Sequence, residues 1–287
     1  MFLRPNLLHF SILKRLSFPP RPARAYTTTP LRHDATPYVR YIAIDNPRKG
    51  NALSLSVLES LEHQLLAVNP GWKYFGRDWE VPWEGDDAAL ERFWKPLNRE
   101  VKVVILRSEG EGVFSSGHDL KEISCYPTST LDSTLHAKIF DACNRVMILI
   151  RELPQPVIAQ VSTSVRLFCT TPSVPLSLNL PSKSLHRLLL TGTPIPASEA
   201  LSLHLISHVS PHDTLASDTL ALAEGIARAS GRVLALGKYA VRTHAEMVGL
   251  REKYEFGAKV MRWNVRLGDA KEGVAAFLGK RGAVFKD

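Results

Sequence analysis

Residues 103–122, VVILRSEGEGVFSSGHDLKE, carry the pattern with the clearest chemical use. Val103, Val104 and Ile105 form a β-branched run, which predicts a buried strand. Gly110, Gly112 and Gly117 punctuate the turn that follows. Asp119 then stands where a helix N-cap belongs, ahead of Leu120, Lys121, Glu122 and Ile123. A strand passing through such a turn into a helix start aims free backbone N–H groups at one point, and the helix dipole adds partial positive charge there. The arrangement suits an anion, or an oxygen that gains charge during a reaction. The plainer reading is an ordinary strand–turn–helix corner, which α/β proteins use often.

The run FSSGHDLKE resembles the first oxyanion motif of the crotonase superfamily, the enoyl-CoA hydratase/isomerase family. The similarity extends from Val39 to the C-terminus, with two interruptions. The resemblance implies that the backbone N–H of His118 polarises an acyl-CoA thioester carbonyl, with Gly117, Asp119, Leu120 and Lys121 beside it as substrate-binding positions. The imidazole of His118 is not required for that role. A Ser-His-Asp triad is the weaker reading, because neighbours on a turn rarely face each other and no nucleophile is placed with them.

The bulk composition narrows the classes. The chain has 287 residues, 45% of them hydrophobic, enough for one sizeable core or one domain with appendages. No apolar run approaches the ~18 residues of a membrane span. The net charge of +8 is unevenly placed. Arg4, Lys14, Arg15, Arg21, Arg24 and Arg32 precede the first acid, Asp34, and without them 30 basic residues face 28 acidic ones. The basic balance therefore gives no argument for nucleic acid binding by the folded part. Cys125, Cys143 and Cys169 have no CxxC spacing, so free thiols are expected and not a zinc site or disulfide.

Residues 1–33 read as a mitochondrial transit peptide: basic, Ser- and Thr-containing, free of acid, with Arg24-Ala25-Tyr26 as a processing site. A secretory signal is the alternative, but His9 and Ser11 interrupt its apolar core. Residues 34–287 form the domain proper. Tyr38–Asp45 alternates as a strand, and NPRKGNALS turns into a helix capped by Ser54, with Leu55, Leu58, Leu61 and Leu65 on one face. The resemblance implies that the backbone near Ala52 touches the coenzyme A part of the ligand, and that Arg48 and Lys49 meet its phosphates. A solvated charged pair explains Arg48 and Lys49 equally well.

Residues 69–98 interrupt the family pattern with a link that holds four of the five Trp residues and has no clear period before Asp87. Three readings compete: an aromatic lid or partner surface, a packed Ω-loop, or retained intron sequence. Thr130–Arg151 follows as a long helix, with Leu135, Ile139, Cys143, Val146, Met147 and Ile150 on one side. Residues 156–161 follow it as a second buried strand.

The second interruption comes after Val161. No Gly occurs between Gly117 and Gly192, and no Asp or Glu between Glu152 and Glu199. In the resembling family this region holds a second oxyanion turn, a helix, a strand and two catalytic glutamates. Hydration needs an acid/base within hydrogen-bond reach of the reacting carbons, and this stretch offers no carboxylate. Deleting packed layers also predicts exposed core surface or a void. The pattern resumes at Leu185 with a helix, a turn at Gly192–Pro196, a helix from a Ser198 cap and a short strand. His204 stands where a left-handed C-cap is expected, usually filled by glycine. His204 and His208 read as surface residues, since no further metal ligand has matching spacing. Helices are expected over 212–229, 232–247 (split at Gly231) and 250–267. The last stretch, 269–285, predicts a short helix with Val274, Phe277 and Leu278 apolar.

The expected architecture is α/β: a crotonase-like ββα spiral with a helical C-terminal trimerisation region (185–287), lacking one core segment after residue 161. The resemblance implies an acyl-CoA ligand, no cofactor beyond the CoA of the substrate, and a homo-trimer or hexamer. It also implies a mitochondrial matrix location and a Lys280 contact to CoA phosphate; a cation at a helix C-terminus explains Lys280 without a ligand. Three functions compete. One is a weak hydratase, isomerase or thioesterase using an acid such as Glu122. Another is a non-catalytic acyl-CoA-binding or regulatory subunit. The third, an RNA binder, is disfavoured by helix faces of mixed sign.

Overall fold

A computed structural model of the chain describes residues 37–70, 72, 85–95, 97, 100–110, 112–124, 134–162 and 170–286. All of them belong to the unit Leu31–Asp287, so the transit-peptide reading falls outside the described residues, as do Cys125 and Cys169.

Three parallel strands, β1 (Val39–Ile44), β2 (Val103–Ser108) and β3 (Val157–Ala159), form a sheet in the order β1-β2-β3. The central strand is the one predicted from the β-branched run, and Val103, Val104 and Ile105 are wholly buried. Parallel strands need helices on both faces, and they have them. Helix α1 (Leu55–Leu66) buries Leu58, Leu61 and Leu65, and the Ser54 hydroxyl accepts from Val57 N as its N-cap. Helix α4 (Thr134–Glu152) packs along it, tied by a bidentate pair between Arg145 and Glu62. The buried face of α4 is Ile139, Ala142, Cys143, Val146 and Leu149; Met147, expected there, is 36% exposed. On the opposite face, α8 (Leu215–Ala227) lays Ala223 and Ala227 against Val103 and Ile105. Small residues let the helix approach the sheet closely.

The outer edge of β1 is capped at Ala43 by one side chain. The Gln64 amide of α1 accepts from Ala43 N at 3.1 Å and donates to Ala43 O at 3.3 Å.

The second interruption leaves its mark on β3. The strand was expected to be buried, yet Ala159 is exposed and Val157 and Ile158 are half-buried. The reason is its place at the sheet edge with no fourth strand among the described residues. Beyond it, α5 (Thr170–Asn179) and α6 (Ser182–Thr191) leave Val174, Leu178 and Leu190 more than half exposed. Helix α5 itself was not anticipated; Pro172 and Pro175 hid it. Helix α7 (Ala197–Ser202) starts from Pro196 and not from Ser198, which lies two residues past the cap position. No strand follows it, because residues 206–211 make no ladder. His204 does adopt the left-handed conformation, φ 57°.

A second core lies among the C-terminal helices α9 (Gly231–Glu246), α10 (Leu250–Asn264) and α11 (Gly268–Leu278). The break before α9 is at Ser230, which caps it through Val233 N; Gly231 is already helical. The described part of the 69–98 link packs into this core. Helix α2 (Asp87–Trp94) and Trp72 place Trp72, Phe93 and Trp94 against Trp263, with the Phe93 and Trp263 rings 5.4 Å apart. The packed-loop reading therefore holds for these residues, and a solvent-facing lid does not.

Between the sheet core and this helical core runs a polar seam. Asn69 and Gln155 exchange two buried amide bonds of 2.7 and 3.0 Å. Lys238 of α9 donates to Ile150 O at 3.1 Å and Gln155 O at 2.9 Å, beside Arg151, Glu152, Tyr239 and Arg242. Burial, then Arg242 and Arg151, push the Lys238 amine down from 10.5 to about 7. A neutral amine has two hydrogens, matching its two acceptors. Because the folded value lies below the unfolded one, this lysine adds stability as pH rises from about 7 towards 10.5, and nothing changes below 7. Urea melts of the wild type should gain about 2 kcal/mol relative to Lys238→Met between pH 6 and 9. Parallel pH profiles for the two proteins would contradict the assignment.

Candidate functional site

Two loops meet at the C-terminal ends of β1 and β2, and their junction is built from the backbone upward. After β1 the chain makes a 3₁₀ turn, Pro47–Lys49, and passes through Gly50 and Asn51 with φ 58° and 54°. Two successive left-handed residues reverse the chain, and Asn tolerates that conformation better than most non-glycine residues. Asn51 is 3% exposed. Its Oδ1 accepts from Asn46 N at 3.0 Å, and its Nδ2 donates to Glu109 O at 3.1 Å and Val113 O at 2.9 Å. Its own carbonyl accepts from the Ser115 hydroxyl at 2.9 Å. One buried amide thus fastens the first loop to the glycine turn. At Gly110 (φ 77°) a Cβ would sit 2.8 Å from the Pro47 side chain, so that close approach requires glycine.

The junction continues as a single parallel bridge between Leu53 and His118. Leu53 N donates to Gly117 O at 2.8 Å, and Asp119 N donates to Leu53 O at 3.3 Å. In a parallel bridge the residue between the two bonded neighbours turns its own N–H away. The N–H of His118 is therefore directed out of the junction, and no described residue accepts it. Gly117, φ 87°, donates to the Ser115 hydroxyl at 3.2 Å and supplies the bend that aims it.

The acids around the turn hold it in place. Asp119 is 5% exposed; its Oδ1 accepts from Lys121 N at 3.0 Å as the N-cap of α3 (Leu120–Ile123), and its Oδ2 takes Lys49 Nζ at 2.8 Å. The Lys49 ammonium, then the Lys121 N–H, hold the Asp119 carboxyl below its ordinary range, and the same pair raises the Lys49 amine. Glu122 Oε2 accepts from Leu55 N at 2.8 Å, capping α1 from across the junction. The half-buried His118 ring stands edge-on to Phe140 of α4, centroids 5.4 Å apart.

Of the residues singled out from sequence, Gly117, His118, Asp119, Leu120 and Lys121 are contiguous, and the Leu53 bridge brings Ala52 to them. Ala52 uses its own groups within the loop: its N–H reaches Lys49 O at 3.2 Å and its carbonyl accepts from Asn46 Nδ2 at 3.0 Å. Leu120 is 74% exposed beside the turn, and Lys121 is exposed. Lys280, φ 49°, follows α11 and is exposed; among the described residues no hydrogen bond or ion pair ties it to the junction. Lys49 is paired with Asp119. Asn51 was missed, although the Gly50-Asn51 pair, two residues tolerant of positive φ in succession, marked the position.

Asn51→Ala removes three side-chain bonds and leaves buried backbone groups without partners. The substitution should cost about 2–4 kcal/mol in a denaturant melt. A change under 0.5 kcal/mol would mean that the two loops hold together without this amide.

Comparison with known proteins places this geometry. The family profile described as enoyl-CoA hydratase/isomerase matches residues 169–287. The zebrafish protein named enoyl-CoA hydratase domain-containing protein 3, mitochondrial, is 34% identical over 279 residues, covering 87% of this chain and 85% of its own. The human protein of that name is also 34% identical, over 86% of this chain and 80% of its own. The crystal structure of the human protein superposes with a TM-score of 0.71 at 32% identity, over 89% of this chain and 100% of that one. An enoyl-CoA hydratase from Mycobacterium smegmatis gives a TM-score of 0.70 at 26% identity, over 87% of this chain and 95% of that one. The three-stranded parallel sheet and its covering helices are thus those of a crotonase fold, and the chain belongs to the enoyl-CoA hydratase/isomerase family.

Proposed function

We propose that the chain binds an acyl-CoA thioester with the carbonyl oxygen on the His118 N–H, in mitochondrial fatty-acid metabolism, and is weak or inactive as a hydratase. The observation that carries this is the outward N–H of His118, fixed by the Leu53 bridge. A preorganised N–H beside a short helix start favours an oxygen that accumulates charge. The mitochondrial part rests on the names of the relatives, and the basic leader agrees with it. Weak hydration follows from the acids. Asp119 is held by Lys49 and the Lys121 N–H, and Glu122 by Leu55 N, so neither is free to deliver water to an enoyl carbon. No cofactor enters beyond the CoA of the ligand, and Lys280 is the proposed partner of its phosphates.

The carbonyl stretch of a ¹³C-labelled butyryl-CoA tests the reading. On binding it should move to lower wavenumber, with saturable heat in calorimetry. Heat without a shift would mean that the thioester lies elsewhere; no heat at all would remove the proposal.

A second reading, a non-catalytic or regulatory subunit of a crotonase oligomer, draws on the apolar face of the C-terminal helices. Tyr254, Met261 and Val265 at α10, and Phe277 and Leu278 at the end of α11, are 55–82% exposed. Such a surface favours a homo-trimer or hexamer. Light scattering should give three or six times the chain mass, and Phe277→Glu should lower it. A monomer at all concentrations would exclude assembly through these helices. Among the described residues, no helix is long and apolar enough to cross a membrane.

A further inference from the structure

The polar seam between α4 and α9 holds a nucleophile that the junction of β1 and β2 does not use. Lys238 Nζ donates to Gln155 O at 2.9 Å and Ile150 O at 3.1 Å. Gln155 is itself fixed, its buried side chain bonded to Asn69 and to Val101 O. An amine nitrogen is tetrahedral. Its own carbon and the two carbonyls take three directions, and the last remains for a lone pair. The side chain lines a cleft of about 10 Å³ that has Arg151, Glu152, Tyr239 and Arg242 among its walls. Arg242 and Arg151 both oppose a positive charge on this amine, and together with burial they bring it to about 7. The acids of the seam are engaged with those same cations: Glu152 of α4 pairs with Arg242 of α9 at 3.5 Å, and Glu246 of α9 with Arg151 of α4 at 3.5 Å. Burial raises the Tyr239 hydroxyl, which stays neutral. A desolvated lysine beside cations is a nucleophile near neutral pH.

The size of the cleft selects the electrophile. About 10 Å³ is room for one water-sized guest, so a thioester or a sugar aldehyde is excluded while a narrow triatomic molecule is not. We propose that Lys238 captures carbon dioxide as a carbamate, held as an anion between Arg242 and Arg151. The inference is independent of the acyl-CoA reading. The amine lone pair forms an N–C bond as one C–O π pair moves onto oxygen, and the nitrogen then gives one proton to solvent water. Amine and carbon dioxide become carbamate and a proton, with nothing oxidised or reduced and no leaving group. The adduct keeps one N–H for a backbone carbonyl and releases the other carbonyl, a modest cost in neutral hydrogen bonding. Against it, the position changes from neutral to negative. The guanidiniums that oppose an ammonium there become partners of a planar carboxylate, the group whose geometry the arginine fork matches.

The full chain equilibrated with ¹³C-bicarbonate, above the amine's value of about 7, provides the test. Carbon-13 NMR reads the carbamate. Trapping with triethyloxonium, followed by peptide mass spectrometry, locates it. The expected result is a signal that saturates with carbon dioxide and a trapped adduct on Lys238. Lys238→Met should abolish the signal. Arg242→Gln should lower the occupancy at equal carbon dioxide by about tenfold, the loss of one charge-assisted hydrogen bond. Peptide mapping uses the wild type alone, so the assignment stands or falls whether or not either variant folds. A wild type without a carbamate signal overturns the proposal, as does an adduct spread over surface lysines. So does unchanged occupancy in an Arg242→Gln protein whose thermal melt shows it folded.

Discussion

Everything at the junction of β1 and β2 depends on one buried amide. The Asn51 side chain joins backbone groups at positions 46, 109 and 113, which no regular secondary structure would bring together. With those distances fixed, the next few residues have little freedom. Leu53 falls beside His118, bonds its two neighbours and leaves the intervening N–H outward. The oxyanion donor is thus a consequence of register. The helix dipole often invoked for such turns contributes less here, since α3 has only four residues.

Charge is arranged to the same end. Asp119 would be an expensive anion at 5% exposure if left alone. Lys49 from one loop and the Lys121 N–H from the helix start meet it, so the ion pair spans the junction. Glu122 does the converse, reaching from α3 to the first N–H of α1. Glu122, which looks in sequence like a candidate acid, and Asp119, which looks like a cap, are in space the staples between two loops. The site's stability and its poverty in free carboxylates have one cause.

Much of this was legible in the sequence. The β-branched run gave β2, the leucine spacing gave α1, and Asp119 and Ser54 were visible as caps because capping chemistry is local. His204 was readable as left-handed because the resembling family usually carries glycine at that position, after a helix end. What the sequence hid was tertiary. Asn51 acts through partners 58 and 62 residues away. Trp72 and Trp94 of the 69–98 link show no period because they pack, with Phe93, as a cluster around Trp263 of α10 rather than along a face of their own. The exposure of β3 follows from its place at the sheet edge among the described residues, and burial on two sides cannot be read from one strand. Helix α5 carries two prolines and few apolar contacts, so neither propensity nor periodicity announces it.

Gln64 has a use that its place on an amphipathic helix conceals. A terminal strand ordinarily presents a row of donors and acceptors that any extended chain can copy. By returning both an acceptor and a donor to Ala43, this side chain imitates the neighbour that β1 lacks. Intruding polypeptide finds the template occupied at that point, so a single amide interrupts the row along which another strand would pair.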